Sequence, residues 1–115
     1  MILRNSRTDA MLAQRVERAS TPLARLRGLL GRSSLPEGEA LLIEPCASIH
    51  TFFMRFPIDA AFLSRELRVV RAIPDLKPWR ATRQHRAAAL VVELPAGTLA
   101  RTGTREGDLM ALDDG

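Results

Sequence analysis

The apolar residues of this chain fall in short runs separated by turn-forming residues, a pattern typical of β-rich domains. The clearest run lies at residues 88–94, where Ala-Leu-Val-Val is apolar at successive positions and predicts a central strand buried on both faces. Pro57 separates two further segments that are rich in Ile, Thr and Phe. Besides the central strand, the runs predict strands at residues 11–18, 40–43, 49–54, 58–63, 67–73 and 109–112.

One short helix is predicted near the N-terminus. Ser20 or Thr21 can supply the capping oxygen, Pro22 suits the first helical position, and Gly31 can end the segment in a left-handed conformation. About six short strands and one helix predict a mainly β (α+β) fold, a small sandwich or barrel. Because no repeat or linker divides the chain, residues 1–115 are predicted to form a single domain.

The composition is that of a globular protein, with 46% hydrophobic and 26% charged residues. Arg4, Arg7 and Asp9 interrupt the first apolar residues before a signal-peptide core can form. No apolar run approaches the about 20 residues that a membrane helix needs. Cys46 is the only cysteine, so no internal disulfide can form. We therefore expect a soluble, cytoplasmic protein with no membrane association.

Arginine carries nearly all of the positive charge, since only one of the 17 basic residues is a lysine. The net charge of +4 conceals two blocks of net +5, at residues 1–35 and 65–86, which two acidic blocks offset. Arg80, Arg83 and Arg86 recur every three residues in the longest polar connection. Guanidinium groups bind phosphates bidentately and stack on bases, so this loop is consistent with nucleic-acid binding. The other interpretation is a solvated loop in a protein whose genome favours arginine codons.

Four segments, in this order, resemble a known family. They are Arg-Leu-Arg-Gly-Leu-Leu-Gly-Arg at 25–32, Ile-His-Thr-Phe-Phe-Met-Arg-Phe-Pro-Ile-Asp at 49–59, Val-Glu-Leu-Pro-Ala-Gly at 92–97 and Gly-Asp at 107–108. The family is the bacterial and archaeal domain of unknown function 192, and Leu30 stands where its signature has Met. The resemblance implies a compact, mainly β fold with a short helix, and it implies no activity.

A catalytic or metal site is one hypothesis for the segment around residue 50. Three residues separate Cys46 from His50, and a thiol–imidazole pair is what nucleophilic catalysis or zinc ligation uses, while Asp59 could orient the imidazole. The alternative is a partly buried histidine held by hydrogen bonds, with Cys46 as a small apolar filler. A structural zinc site needs four ligands and no further residues stand at ligand spacing, so we expect neither metal nor cofactor.

Two further carboxylates near predicted strand ends are candidate acid or base groups. Glu93 stands among valines and a leucine, where it could also be a half-buried carboxylate paired with an arginine. Asp108 follows Gly107, where an aspartate that bonds its own backbone in a tight turn is the simpler interpretation.

The aromatic residues predict a binding surface. Phe52, Phe53, Phe56 and Phe62 lie within eleven residues and occupy both parities of a strand, so they cannot all face one core. We therefore expect an aromatic–arginine surface to border a groove, formed by Phe53, Arg55, Trp79 and Arg80. The alternative is that a bulge at Pro57 lets both sides of the segment be covered.

Three functions follow from these candidates. The one we favour is a non-catalytic module that binds a small ligand or a protein partner through the aromatic–arginine surface. The second is a module for RNA or single-stranded nucleic acid that uses the same surface and the arginine blocks. The third is a small enzyme centred on His50 and Asp59.

Overall fold

The computed structural model describes residues 1–113, in which eight strands and two short helices occur. The strands are β1 (Ile2–Asn5), β2 (Met11–Ala13), β3 (Arg15–Ala19), β4 (Glu39–Ile43), β5 (Ile58–Leu63), β6 (Val69–Leu76), β7 (Leu90–Pro95) and β8 (Met110–Asp113). The helices are α1 (Pro22–Arg27) and α2 (Thr98–Thr102). Within these residues, neither helix has the length or the apolar content that crossing a bilayer requires.

The strands form two sheets. The first has the order β2-β1-β8, and both of its strand pairs are antiparallel. The second has the order β3-β4-β7-β5-β6 and is antiparallel except for β3 and β4. Parallel neighbours need a crossover connection instead of a tight turn, and α1 lies in the crossover between β3 and β4.

Strand β7 lies at the centre of the second sheet, as its continuous apolar run predicts. The register places Glu93 between Leu41 of β4 and Ala60 of β5. Because side chains alternate along a strand, Val92 and Leu94 point to one face of the sheet, and Glu93 points to the other.

The two faces of the second sheet are covered differently. The face that bears Leu94 packs on the first sheet, where Leu3 of β1 and Met110 of β8 belong to the same core cluster. The opposite face is covered by α1 and by the segments that follow α1 and β4, which contribute buried residues such as Leu29 and Met54. The second sheet therefore packs against the first sheet on one face and against α1 and loops on the other face.

The predicted mainly β fold is confirmed, and its two packed sheets form a sandwich. The structure has eight strands in residues 1–113 where about six were predicted. The predicted helix begins at Pro22 but ends at Arg27, because Gly28 leaves the helical conformation with φ of 50°. Three strands precede this helix, so it is not the first element of the chain.

Residues 49–54 do not form the predicted strand. Within the described part of the chain, their only ladder contact is an isolated bridge between His50 and Ala81. The backbone of Thr51 instead accepts from the Trp79 N–H at 2.9 Å and donates to the Arg80 carbonyl at 2.8 Å. The segment is therefore a turn bonded to a distant loop, and its apolar residues divide between the core and the surface.

Strand β1 and helix α2 were not predicted from the sequence, and one predicted strand is divided in the structure. Strand β1 holds only two apolar residues, and α2 has no side chain of its own that caps it. The predicted strand 11–18 is split into β2 and β3 at Gln14, because the backbone N–H groups of Gln14 and Arg15 both donate to the Gly38 carbonyl.

Candidate ligand-binding site

A cavity of about 340 Å³ lies on the loop-covered face of the second sheet. We call it the Glu93 cavity. Its floor includes Ile43 of β4 and Glu93 of β7, and its walls come from α1 and from the segment that follows β4. Apolar side chains, among them Leu29, Ile49 and Met54, form much of the lining.

The local structure of α1 explains how the chain builds one wall of the cavity. The Thr21 hydroxyl accepts a hydrogen bond from the Ala24 N–H at 3.1 Å, and Pro22 occupies the first turn. The helix then stops after six residues because Gly28 adopts a positive φ, which a side chain would disfavour. The early stop lets Leu29 turn inward, where it is buried against the second sheet.

Glu93 is a buried carboxyl group, and its Oε1 atom has no hydrogen-bond partner among the residues that the structure describes. Its side chain is 3% exposed, and its Oε1 atom is inaccessible to solvent and unbonded. Burial raises the pKa of Glu93 from 4.5 to about 7, while the positive charge of Arg32 acts in the opposite direction. Buried polar groups in native proteins are nearly always hydrogen-bonded, so an orphan carboxyl that lines a cavity indicates a functional position.

Arg25 supplies a second orphan atom to the same cavity. Its Nη1 donates to the Pro45 carbonyl at 3.0 Å, which fixes the guanidinium against the segment that follows β4. Its Nε is inaccessible to solvent and has no hydrogen-bond partner. Among the described residues only three buried side-chain polar atoms are unpartnered, and the third is Nε2 of His85. Two of the three therefore belong to one cavity, and one is a donor while the other is an acceptor.

Cys46 also lines the Glu93 cavity, with its thiol donating to the Ser48 carbonyl at 3.0 Å. Burial raises the pKa of the thiol, and the nearby charge of Glu93 raises it further, whereas the hydrogen bond with Ser48 and the charge of Arg25 lower it. Reactive cysteines have depressed pKa values in electropositive surroundings. The surroundings of Cys46 therefore favour the neutral thiol over the thiolate.

The structure brings His50 to the cavity with Cys46 but does not bring Asp59 there. Nδ1 of His50 accepts from the Phe52 N–H at 3.2 Å. The Asp59 carboxylate is fully buried and accepts from three backbone N–H groups, those of Asp75, Gly97 and Leu99, at 2.8–3.1 Å. Asp59 precedes Ala60 on β5 and so points to the sheet face away from Glu93.

The aromatic residues predicted to form a surface do come together. The rings of Phe53 and Trp79 are 4.6 Å apart, and these side chains are 70% and 56% exposed. Arg55 and Arg80, the other two residues predicted for the aromatic–arginine surface, are also exposed. Phe52 connects this surface to the cavity, since it stacks on His50 at 5.0 Å and lies 6.1 Å from Trp79.

Phe53 and Trp79 both have a left-handed backbone, with φ of 67° and 65°. Bulky residues rarely adopt this conformation, and it persists only where surrounding contacts impose it. Here Thr51 imposes it. Besides the two backbone bonds described above, its hydroxyl donates to the Lys77 carbonyl at 2.6 Å and accepts from the Arg80 N–H at 2.9 Å.

Sequence reasoning named His50, Cys46 and the exposed aromatic residues, but it missed Arg25 and Thr51. Arg25 is one of two arginines on α1, and the signal at its position is that it opens segment 25–32, one of the four segments that carry the family resemblance. Glu93 had a signal, a lone charge within an apolar strand, but the expected arginine partner is absent from its described contacts. Across residues 1–113, no three His, Cys, Asp or Glu side chains lie close enough together to hold a metal ion.

Three of the four segments on which the family resemblance rests meet at the Glu93 cavity. Segment 25–32 contributes Arg25 and Leu29, segment 49–59 contributes His50 and Met54, and segment 92–97 contributes Glu93. The fourth segment places Asp108 elsewhere, where the carboxylate accepts from the guanidinium of Arg7 at 2.6 Å. The residues that carry the resemblance therefore converge on one place, although the chain separates them widely.

Comparisons with known proteins agree with this resemblance. The UPF0127 protein TK1120 of Thermococcus kodakarensis is 33% identical over 101 residues, which cover 84% of this chain and 64% of that protein. A UPF0127 protein of Thermococcus gammatolerans is 34% identical over 103 residues, which cover 85% of this chain and 66% of that protein. This chain thus spans just under two thirds of the length of either relative.

A solved structure shares the fold. A protein of unknown function from Novosphingobium aromaticivorans superposes with a TM-score of 0.83 at 20% identity, over 96% of this chain and 82% of that one. The family model described as Uncharacterized ACR, domain of unknown function 192, matches residues 3–112. The predicted resemblance is confirmed, and the chain belongs to the domain of unknown function 192 family.

Proposed function

We propose that this chain is a non-catalytic binding domain that takes a small organic ligand into the Glu93 cavity. The observation that supports the proposal is that Arg25 and Glu93 both line a largely apolar cavity, and each has one buried side-chain atom without a partner among the described residues. Small-molecule sites are typically apolar, carry a few polar groups and measure about 300–1,000 Å³. A ligand whose polar groups match these two side chains would offset part of the cost of burying them, which is about 1–3 kcal/mol for each polar atom without a partner.

The surroundings of the candidate catalytic residues favour binding over catalysis. Cys46 is held as a thiol, and the Asp59 carboxylate is engaged by backbone N–H groups, so neither is poised to activate the other. Within residues 1–113, no carboxylate is hydrogen-bonded to the His50 ring, and its Nδ1 accepts from the Phe52 N–H.

The aromatic–arginine surface extends the proposed binding region. His50 lines the cavity and stacks on Phe52, which in turn lies beside Trp79. We propose that a ligand bound in the cavity is contacted at its outer end by Phe53 and Trp79, with Arg55 and Arg80 at the border. Large rigid aromatic side chains supply contact area at low entropic cost.

Cys46 gives a direct test of the proposed function, because it is the only cysteine of the chain and lies in the cavity. Fragments are screened by NMR for shifts in the methyl signals of Met54 and Leu29, and each hit is tested for slowing the reaction of Cys46 with methyl methanethiosulfonate. We expect cavity ligands to shift these methyls and to protect the thiol. A screen in which no fragment does both contradicts the proposal.

A second candidate function is binding of single-stranded nucleic acid at the aromatic–arginine surface. The observation that favours it is the exposed contact of Phe53 with Trp79, together with two exposed arginines close to these residues in sequence, Arg55 and Arg80. Single-strand binders combine aromatic side chains, on which bases stack, with positive charge along the backbone path. The same surface would then serve a macromolecular partner instead of the outer end of a small ligand.

Trp79 is the only tryptophan, so its fluorescence reports on this surface alone. If the second function is correct, a dT oligonucleotide quenches the fluorescence, and its affinity falls at least about tenfold between 50 and 200 mM salt. Phe53→Ala and Arg80→Gln should each weaken binding, whereas Met11→Ala, an exposed apolar residue of β2, should not. Inorganic polyphosphate that binds as tightly as the oligonucleotide would exclude stacking and with it this function.

A further inference from the structure

We infer that the ligand of the Glu93 cavity carries an anionic group and an ammonium group on one apolar body, the chemistry of an apolar α-amino acid. The inference rests on the proposed function and specifies the ligand class. It follows from the unpartnered donor of Arg25, from the unpartnered acceptor of Glu93 and from the apolar side chains that line the same cavity.

Arg25 determines the anionic end. The guanidinium is permanently charged and only donates hydrogen bonds. Its Nη1 is already bonded to the Pro45 carbonyl, and its buried Nε has no partner among the described residues. The Arg25 side chain lines the Glu93 cavity. Nitrogen donors of arginine bind carboxylates through charge-assisted hydrogen bonds, which are about twice as strong as neutral ones. A carboxylate is therefore the group that matches this end of the cavity.

Glu93 determines the cationic end. An ionised carboxylate accepts hydrogen bonds and cannot donate them. The Glu93 side chain lines the cavity, and its buried Oε1 has no partner among the described residues. Arg25 and Glu93 form no ion pair with each other in the described structure. An ammonium group on the ligand would give the buried carboxylate both a hydrogen bond and a compensating charge.

Neither charge of the ligand suffices alone. An anionic ligand without an ammonium group leaves the Glu93 carboxylate buried and unpartnered, and an amine without a carboxylate leaves Arg25 Nε unsatisfied. Arg25 and Glu93 carry opposite charges, so a ligand with one positive and one negative group matches both at once. Arg27 also lines the cavity and adds a second positive charge. The apolar side chains of Leu29, Ile43 and Met54 suit an aliphatic or aromatic body between or beside these groups.

The test compares L-leucine with two probes that each lack one group, 4-methylpentanoate and 3-methylbutylamine. Dissociation constants are measured by calorimetry at pH 8, with Cys46 protection as the readout of site. We expect leucine to bind at least about tenfold more tightly than either probe, since one unsatisfied buried group corresponds to a factor of ten or more.

Two variants separate the two ends. Arg25→Gln should weaken the binding of leucine at least about tenfold and leave the affinity for 3-methylbutylamine unchanged. Glu93→Gln should also weaken the binding of leucine but leave the affinity for 4-methylpentanoate unchanged. Arg65→Gln and Glu66→Gln, exposed neighbours in the turn that follows β5, are the matched controls and should change neither. If a variant does not fold, as judged by circular dichroism, the comparison of probes on the parent protein still decides.

The outcomes distinguish this inference from the proposed function. A probe with one charge that binds as tightly as leucine overturns the inference, and so does a screen that finds cavity ligands while leucine, phenylalanine and valine all fail to bind. In both cases the domain remains a small-molecule binder. Failure of every compound to reach the cavity would instead contradict the proposed function itself.

Discussion

At the scale of single residues, the burial of Glu93 costs the folded state free energy, because its carboxyl group leaves water without gaining a partner. An apolar side chain in the same position, between Leu41 and Ala60, would pack in the sheet without this cost. Positions that break the local rule for a buried strand in this way are expected at functional sites. The cost has a measurable signature in the pH dependence of stability.

Glu93→Gln should stabilise the protein at neutral and alkaline pH relative to the parent. The pKa of Glu93 is about 7 in the folded state against an ordinary 4.5, so between these values the folded chain binds more protons than the unfolded chain. The contribution of Glu93 to stability is therefore fully present below pH 4.5 and is lost as the pH rises through 7. The shift corresponds to about 3 kcal/mol.

Urea denaturation between pH 4.5 and 8 measures this effect. The free energy of unfolding of Glu93→Gln, minus that of the parent, should grow by about 3 kcal/mol over this range. Glu66→Gln, which removes an exposed carboxylate, should show no comparable growth. A difference that stays constant with pH would mean that the carboxyl group is bonded or solvated in the folded protein.

At the scale of elements, Asp59 connects β5 to two neighbouring segments. Its carboxylate accepts from Gly97 and Leu99 at the start of α2 and from Asp75 near the end of β6. Asp59→Ala should lower the free energy of unfolding by about 3 kcal/mol or more, because three backbone donors lose their acceptor in the interior.

Hydrogen exchange distinguishes this structural role from a catalytic one. In Asp59→Ala the amides of Gly97, Leu99 and Asp75 should exchange faster, while ligand binding in the Glu93 cavity should persist wherever the chain folds. Asp59→Asn retains one acceptor oxygen and should lose less stability. Unchanged protection of all three amides in Asp59→Ala would contradict the assigned role.

Asp108 joins the end of β1 to the turn that precedes β8 in a similar way. Its buried carboxylate accepts from the guanidinium of Arg7 at 2.6 Å and from the amide of Asn5 at 2.9 Å. The hydrogen bond from Arg7 is the largest cause that lowers the pKa of Asp108 below its ordinary value of 3.8. The resulting stabilisation is present above pH of about 4 and is lost as the pH falls further.

Asp108→Asn should therefore cost about 2 kcal/mol of unfolding free energy at pH 7, the scale of charge-assisted hydrogen bonds in a buried site. The difference in the free energy of unfolding between Asp108→Asn and the parent should become smaller as the pH falls from 5 to 2.5. Asp75→Asn, which removes only an exposed pair with Lys77, should change stability little at any pH. An Asp108→Asn effect that is equally large at acid pH would mean that charge is not its origin.

At the scale of the whole molecule, the sequence predicts well what depends on neighbouring residues. The run around Val91 identifies the central strand, and Thr21 with Pro22 identifies the start of α1. The prediction fails where a distant contact decides. Residues 49–54 have the composition of a strand, but Thr51 bonds to the 77–80 loop, and α2 depends on an aspartate from β5.

In the candidate site, too, associations between residues that are close in sequence could be predicted, and associations between distant residues could not. Cys46 and His50 are close in sequence and both line the cavity, so their association could be predicted. Arg25 and Glu93 come from a helix and a strand far apart along the chain, and only tertiary packing joins them in one cavity. An exposed aromatic contact such as that of Phe53 with Trp79 could be predicted, because the segment holds more aromatic residues than one core can cover. The left-handed backbone conformation of these two residues could not be predicted from the sequence.

The unequal covering of the two sheet faces makes a last prediction about packing. Leu63 lies fully buried between the sheets, whereas Met54 is buried on the opposite face and borders the Glu93 cavity. Leu63→Ala should cost about 4 kcal/mol and Met54→Ala only about 2 kcal/mol, because a side chain that faces a cavity already lacks packing partners on one side. Urea denaturation with equal m-values makes the two costs comparable. Met54→Leu, which nearly preserves volume, should be close to neutral, and a Met54→Ala cost as large as that of Leu63→Ala would mean that Met54 is packed on all sides and the cavity is closed.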